Sequence, residues 1–392
     1  MRVLFIPFGG RISHTIPLIA LSRMIDKTAI KTAFLLPRRE HQLAASFGLN
    51  TLDIDYLGVD QHSFRTELRA YGLFSPDVVI DDTNPTTGLT TAFTKLPRVT
   101  IQRTGFFPGS LPCGSHHRLS LNNDVKQLPD VTFAGLPQPQ TFSDMLDADC
   151  KIVPGIPSIE LLPPSLRFDP TYFFSGPLLL EDYLMERAAD SAPSIDGAPP
   201  EQQKFAPLER FFAEHARRKR IYVTFGTEAQ AGAPVLSCIR RLLRQEIAVV
   251  TSIRVERLSA EEKKYYYYAP YLPMNFVCRH VDLMIHQCGC GTYHYPIVHQ
   301  LPMITIGTQR YDREAVACRL EELGVSIHLA APKERMDFEE AFEEAVERYF
   351  VSDGALLAEA RQRMVALNEE VSRTAAAFDL ETVLQKAVQR TG

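Results

Sequence analysis

No tryptophan occurs among the 392 residues of this chain, so no ligand ring can be stacked on an indole. An excess of positive charge is also missing. The 42 Lys and Arg residues stand against 47 Asp and Glu, and the net charge of -5 gives no electrostatic reason to expect a nucleic acid or an anionic membrane as partner. No stretch approaches the ~18 consecutive apolar residues of a membrane-spanning helix. The first apolar run, Val3 to Phe8, stops at Gly9-Gly10 and does not read as a signal peptide. A cytoplasmic protein is expected. Seven cysteines are an odd number in no compact spacing, which points to reduced thiols rather than a disulfide framework.

What is present is an ordinary globular composition, 45% hydrophobic and 23% charged, in a chain too long for one hydrophobic core. Two domains of similar size are therefore expected. Strand and helix patterns alternate, which predicts α/β layers with parallel sheets. Arg2 to Ile6 reads as a strand, followed by the turn Pro7-Phe8-Gly9-Gly10 and a helix with Leu18, Leu21 and Ile25 at helical spacing. Lys31 to Leu36 and Asp77 to Ile80 read as further strands, and the pattern restarts at Arg220 to Thr227. Asp190 to Gln203, rich in Pro, Ser and Gly, is the linker candidate. These signals predict an N-terminal domain over 1–195, a C-terminal domain over 196–370, and a helix over 371–392 that returns to the N-terminal domain. The four consecutive tyrosines Tyr265 to Tyr268 are expected to be half-buried and are assigned no role.

The richest segment runs from Val281 to Gly324. Val281 to Ile285 reads as a buried strand, and His286, Gly289, Gly291 and Thr292 fall in the tight connection that follows, where backbone N–H groups can face an anion at a helix N-terminus. The segment resembles the nucleotide-sugar-binding stretch of the inverting GT-B glycosyltransferases, the superfamily of bacterial natural-product glycosyltransferases and of the glucuronosyl and plant UDP-sugar enzymes. The matching frame is His286, Gly289, Gly291, Thr292, then Leu301-Pro302, then Asp312-Arg313. Ser175-Gly176-Pro177 resembles the step that ends the family's N-terminal domain, and Tyr222 to Thr227 its first C-terminal strand and Gly-Thr turn. Tyr271-Leu272-Pro273-Met274 stands where the family backs the nucleotide base.

The resemblance implies a GT-B α/β fold, two Rossmann-like domains facing each other across a cleft. It implies a donor site made of Gly226, Thr227, Pro273, Met274, His286, Gly289, Gly291, Thr292, Asp312 and Arg313. Three departures bear on the donor. Arg313 replaces the usual Gln after Asp312, Tyr295 replaces the acidic residue that holds the ribose, and Pro296 beside it predicts an irregular helix start. If Arg313 faces the sugar, its planar fork suits a uronic acid carboxylate.

The catalytic expectation rests on Gly10 to Pro17. The family places a His at the start of the first helix with Pro three residues on, which His14 and Pro17 match. Transfer to a hydroxyl needs a base, and an imidazole of ordinary pKa ~6.5 is available near neutral pH. A carboxylate should fix its tautomer, as in the serine-hydrolase triad. The family's register in Pro76 to Asp82 selects Asp82, with Asp81 as the fallback, although either Asp could equally cap a turn. Phe106, Phe107 and the loop from Asp144 to Asp149 are the candidate acceptor walls.

A metal site competes in the same region, because Cys278, His280, His286, Cys288, Cys290, His294 and His299 lie close in sequence. Their spacing does not match zinc knuckles, and Asp53-Ile54-Asp55 and Asp147-Ala148-Asp149 lack the context of a metal-dependent transferase. The expectation is thus a metal-independent enzyme with no cofactor, which moves a sugar from a UDP- or dTDP-sugar co-substrate to a small natural-product acceptor with inversion. Its rivals are a nucleotide-sugar epimerase or hydrolase of the same fold and a non-catalytic nucleotide-sugar-binding protein.

Overall fold

The structure is a computed structural model that describes residues 1–9, 12–56, 62–110, 143–180, 205–225, 232–350 and 355–391. The described residues form two compact units. One takes those up to 180 together with those from Val371 onward, and the other takes those from 205 to Glu370. The linker candidate Asp190 to Gln203 lies outside the described residues.

The first unit holds six strands: β1 (Arg2–Pro7), β2 (Lys31–Phe34), β3 (Val78–Asp82), β4 (Arg98–Ile101), β5 (Cys150–Val153) and β6 (Tyr172–Phe174). They form one parallel sheet in the order β2-β1-β3-β4-β5-β6. A parallel sheet is covered on both faces, which is why β1 and the start of β3 read as unbroken apolar runs. Val3 and Phe5 face helix α1 (Ile12–Ser22), through Leu18, Ile19 and Leu21, and the helix Leu380–Thr391, through Leu380, Val383 and Leu384. Leu4, Ile6 and Val79 pack on the opposite side with Tyr56, Tyr71 and Phe74. Gly176 has φ +70°, and a Cβ there would stand 3.2 Å from that of Ala375, so both its backbone angle and its neighbour call for glycine.

The second unit repeats the architecture. Strands β7 (Arg220–Thr224), β8 (Ala248–Thr251), β9 (Tyr266–Tyr268), β10 (Leu283–His286), β11 (Met303–Ile306) and β12 (Ser326–Leu329) pair in parallel in the order β12-β11-β10-β7-β8-β9. The tyrosine run is thus the edge strand of this sheet. Tyr266 has a structural role, since its hydroxyl accepts from the Val255 N–H at 2.7 Å and donates to the Ile253 carbonyl at 2.8 Å.

Chain order reverses once in each sheet. After β1 the chain adds β2 on one side and returns to add β3 on the other; after β7 it adds β8 and β9, then β10 on the opposite side. Such reversals open a crevice outside the carboxyl ends of the two flanking strands, where ligands bind in open α/β sheets. Sequence boundaries shift accordingly. Asp81 and Asp82 are not past the end of β3 but are its last two residues, paired with Ile6 and Pro7. His286 likewise closes β10, in register with Thr224 and Thr305.

Candidate functional site

Consecutive residues of a strand point to opposite faces, and the Asp81-Asp82 pair uses both. Asp81 turns to Arg98, whose guanidinium donates to it at 2.7 and 3.1 Å, and to the Thr100 hydroxyl at 2.9 Å. Arg98 also reaches the carbonyls of Met145 and Asp147, each at 2.8 Å. Asp81 is therefore a structural anchor that fastens the 144–149 loop beneath helix α4 (Pro85–Thr94), and the fallback role for it as the partner of His14 is not realised. That loop is itself partly core, with Leu146 buried and its carbonyl taking the Gln102 side-chain amide at 2.6 Å.

Gly88 on α4 is the residue that lets Arg98 lie there. A Cβ at this position would collide with the Met145 carbonyl and approach the Arg98 guanidinium to 2.6 Å. Gly88→Ala is expected to destabilise the protein by about 1–3 kcal/mol, the cost of overpacking, despite alanine's better helix propensity. A thermal melt showing the variant as stable as the parent would contradict this packing.

Asp82 faces the other way. His14, two residues into α1, places its Nδ1 3.0 Å from Asp82 Oδ1, and the Phe8 ring meets the imidazole edge-on at 5.4 Å. Two further partners were not foreseen. Arg103 grips both carboxylate oxygens, with its second nitrogen 2.6 Å from Oδ2, and Thr83 donates to Oδ1 at 3.1 Å. Burial alone would push the Asp82 carboxyl up, but the Arg103 guanidinium and then His14 outweigh it and hold the group down at about 2. Asp82 is thus a fixed anion with no exposure, while His14 is 15% exposed and its Nε2 has no partner among the described residues. With the Nδ1 proton donated to Asp82, Nε2 presents a lone pair. Sequence gave one cue to Arg103, a cation just past a strand, but only the register of β4 against β3, which sets Ile101 beside Asp82, reveals its target.

Behind this strand end a second polar cluster is closed to solvent. Glu67 on α3 (Ser63–Phe74) receives hydrogen bonds from Tyr56, Thr87, Thr90 and Tyr71, and Tyr56 in turn accepts from Asn84 at 2.7 Å. Burial pushes the Glu67 carboxyl up to about 7 in spite of these donors.

The two phenylalanines named as candidate acceptor walls differ in burial. Phe107 is 1% exposed and packs edge-on against Tyr172 at 5.9 Å, so it belongs to the core and offers no wall. Phe106 is half-buried, its N–H bonded to the Arg103 carbonyl at 2.8 Å, which sets it one turn from Arg103.

In the second unit, β10 ends in the turn 287–292, and the helix after it, His294–Val298, is only five residues long. Pro296 sits in its first turn, where no intrahelical donor is required, and just past its end Gln300 takes the left-handed conformation at φ +53°. His286 is fully buried. Its Nδ1 accepts the Cys288 N–H at 3.0 Å and its Nε2 lies 3.3 Å from Met303 Sδ, so both nitrogens are engaged inside the unit. The expected contact from this imidazole to a diphosphate therefore has no free nitrogen; His286 shapes the turn, helping to hold Cys288 at φ +48°. Burial drives the His286 pKa down to about 3. Because the unfolded chain takes up this proton near 6.5 and the folded one only near 3, folding stability falls as pH drops through that window, by roughly 1.4 kcal/mol per pH unit. Denaturant titrations at pH 7 and pH 5 should show a smaller loss for His286→Asn than for the parent; equal losses would place the imidazole in water.

Elsewhere in the turn, Thr292 N–H donates to the Gly289 carbonyl at 2.8 Å, whereas the N–H groups of Gly289 and Gly291 bind no other described residue. Gly291 is exposed, and a Cβ there would meet nothing within 4 Å. Asp312, in the first turn of the helix Tyr311–Glu322, sits with Oδ2 4.0 Å from Cys290 Sγ, so the structure brings it to the turn. Arg313 beside it is half-buried. Pro273 precedes and Met274 opens the helix Met274–His280, and Met274 packs with Tyr295 around a shared apolar cluster. Gly226 and Thr227 lie outside the described residues. Among the described residues no three His, Cys, Asp or Glu side chains converge as metal ligands.

Two parallel sheets in separate units, each with its candidate residues at the reversal of strand order, define a two-domain α/β protein of the GT-B type. No family model and no curated protein matches the sequence. Solved structures match its fold. The chain is similar to the glycotransferase of kitacinnamycin over 100% of its length and 98% of the other, with a TM-score of 0.67 at 14% identity. It is similar to a spinosyn rhamnosyltransferase complexed with thymidine diphosphate (97% and 99% covered, TM-score 0.66, 15% identity). A third is the glycosyltransferase SnogD from Streptomyces nogalater (100% and 99% covered, TM-score 0.61, 18% identity). The chain has the fold of these glycosyltransferases along its whole length.

Proposed function

We propose that the protein transfers a sugar from a nucleoside diphosphate sugar, with UDP or dTDP as the nucleotide, to a hydroxyl of a small natural-product acceptor. The observation that carries this reading is the His14–Asp82 contact at the carboxyl-end crevice of the first sheet, where a ring nitrogen is left free to take a proton. In the step, His14 Nε2 accepts the acceptor's hydroxyl proton and the oxygen forms a bond to the anomeric carbon. The bond from that carbon to the diphosphate oxygen breaks, and the nucleoside diphosphate leaves with the electron pair. Displacement from the face opposite the leaving group inverts the anomeric centre. Asp82 stabilises the imidazolium that forms and fixes the ring tautomer.

The turn 287–292 supports the donor side of the reading. Two unengaged glycine N–H groups next to Asp312 suit an anionic, hydroxylated ligand, and anions are held by backbone donors of this kind. In this reading Gly289, Gly291 and Thr292 line the diphosphate, Asp312 and Arg313 face the sugar, and a uronic acid is the donor that would use Arg313 fully. That a neighbour of the same fold was solved with thymidine diphosphate is consistent with a dTDP-sugar.

The experiment is a panel of UDP- and dTDP-sugars with and without phenolic and polyketide aglycones, read as free nucleotide. Release only in the presence of an acceptor is the expected result. Release without acceptor would identify a hydrolase, and binding without release an auxiliary protein; either outcome would end the proposal.

A further inference from the structure

The dyad is not a bare His–Asp pair. Asp82 is held from two sides, by His14 on Oδ1 and by Arg103 across both oxygens, and Arg103 is itself buried, its side chain 5% exposed. A carboxylate paired only with an imidazole draws positive charge onto that ring. A guanidinium on the same carboxylate cancels the anion and opposes a second positive charge nearby. We propose that Arg103 is a positioning residue that holds Asp82 as a fixed hydrogen-bond acceptor and keeps His14 a neutral base, so that the site remains active at lower pH than an isolated His–Asp pair would. The catalytic part of this proposal rests on the glycosyl-transfer reading; the electrostatic part does not.

Among the described residues, the surroundings leave Arg103 as the group that sets this balance. Helix α1 carries no charged residue of its own apart from His14. It packs on β1 and β3. The charged residue of β1, Arg2, is at the opposite end of the strand, its backbone N–H donating to Asp77. On β3, Asp81 is spent on Arg98 and Thr100. From α2 (Arg38–Ser46), Glu40 accepts the Thr15 hydroxyl at 2.6 Å, one residue along from His14. Neither Asp81 nor Glu40 hydrogen-bonds the imidazole, whereas Arg103 shares with it the same oxygen, Asp82 Oδ1.

The test reads His14 directly, in full-length protein, by NMR titration of its ring nitrogens in the parent, Arg103→Gln and Arg103→Lys. Arg103→Gln removes the charge and is expected to move the titration midpoint of His14 upward by about one pH unit or more. Arg103→Lys keeps a charge but cannot span both oxygens, so it should move the midpoint the same way by less. An unchanged midpoint in whichever variant folds overturns the proposal. The acid limb of the kcat/KM profile should move with the midpoint, with KM for the donor unchanged; a limb that stays while the midpoint moves would leave Arg103's effect intact and instead remove His14 from the reaction.

Discussion

His14→Ala is expected to lower kcat by roughly a hundredfold or more, the usual contribution of a positioned general base, while calorimetry finds nucleotide-sugar binding nearly unchanged. The split follows from the geometry. Among the described residues His14 contacts Asp82 and the edge of Phe8, both in its own unit, whereas the turn 287–292 proposed to hold the diphosphate belongs to the other. Truncation of His14 leaves Asp82 with Arg103 and Thr83, which keeps the buried carboxylate paired and the fold intact. A loss that appears in transition-state but not in ground-state binding is what a base predicts. If donor affinity and kcat fall together, His14 is a structural residue and the proposed step loses its proton acceptor.

Asp82 should behave differently, since its removal damages stability before chemistry is considered. Asp82→Ala leaves the Arg103 guanidinium buried without its carboxylate, and breaking a buried ion pair from one side costs about 3–5 kcal/mol. Urea titration at neutral pH measures this directly, and a loss under about 1 kcal/mol, the range of an exposed pair, would mean that solvent reaches the site. The acid dependence has a defined sign. With its folded-state pKa held at about 2, below the ordinary 3.8, the Asp82 carboxylate contributes stability that is complete above the ordinary value and lost as pH falls toward 2. Asp82→Asn, which keeps the shape, should cost less stability than Asp82→Ala and still impair turnover, because an amide no longer stabilises the imidazolium.

The alternation of apolar strands with helices, the restart at Arg220 and the glycine turn after β10 were all legible in the sequence, because parallel strands buried on both faces leave a signal in composition alone. The pairing of His14 with Asp82 was legible only through resemblance, since 68 residues separate them and nothing local joins them. Where local reading failed, a partner distant in the chain was the reason. Phe107 and His286 looked like ligand contacts by position, but Tyr172 claims the first and Met303 with Cys288 the second. The tyrosine run gave no periodicity to read, because a three-residue edge strand is too short to show one.

By itself the sequence determined the layered α/β class, the doubling of that unit and the places where strands hand over to the candidate functional turns, since these depend on apolar patterning and turn chemistry within a few residues. Only the tertiary structure decided between Asp81 and Asp82. Strand geometry turns neighbouring residues to opposite faces, and β4 delivers Arg98 to one and leads into Arg103 at the other. Two adjacent, identical side chains thereby became an anchor and a candidate catalytic partner, a distinction set by which cation each face meets.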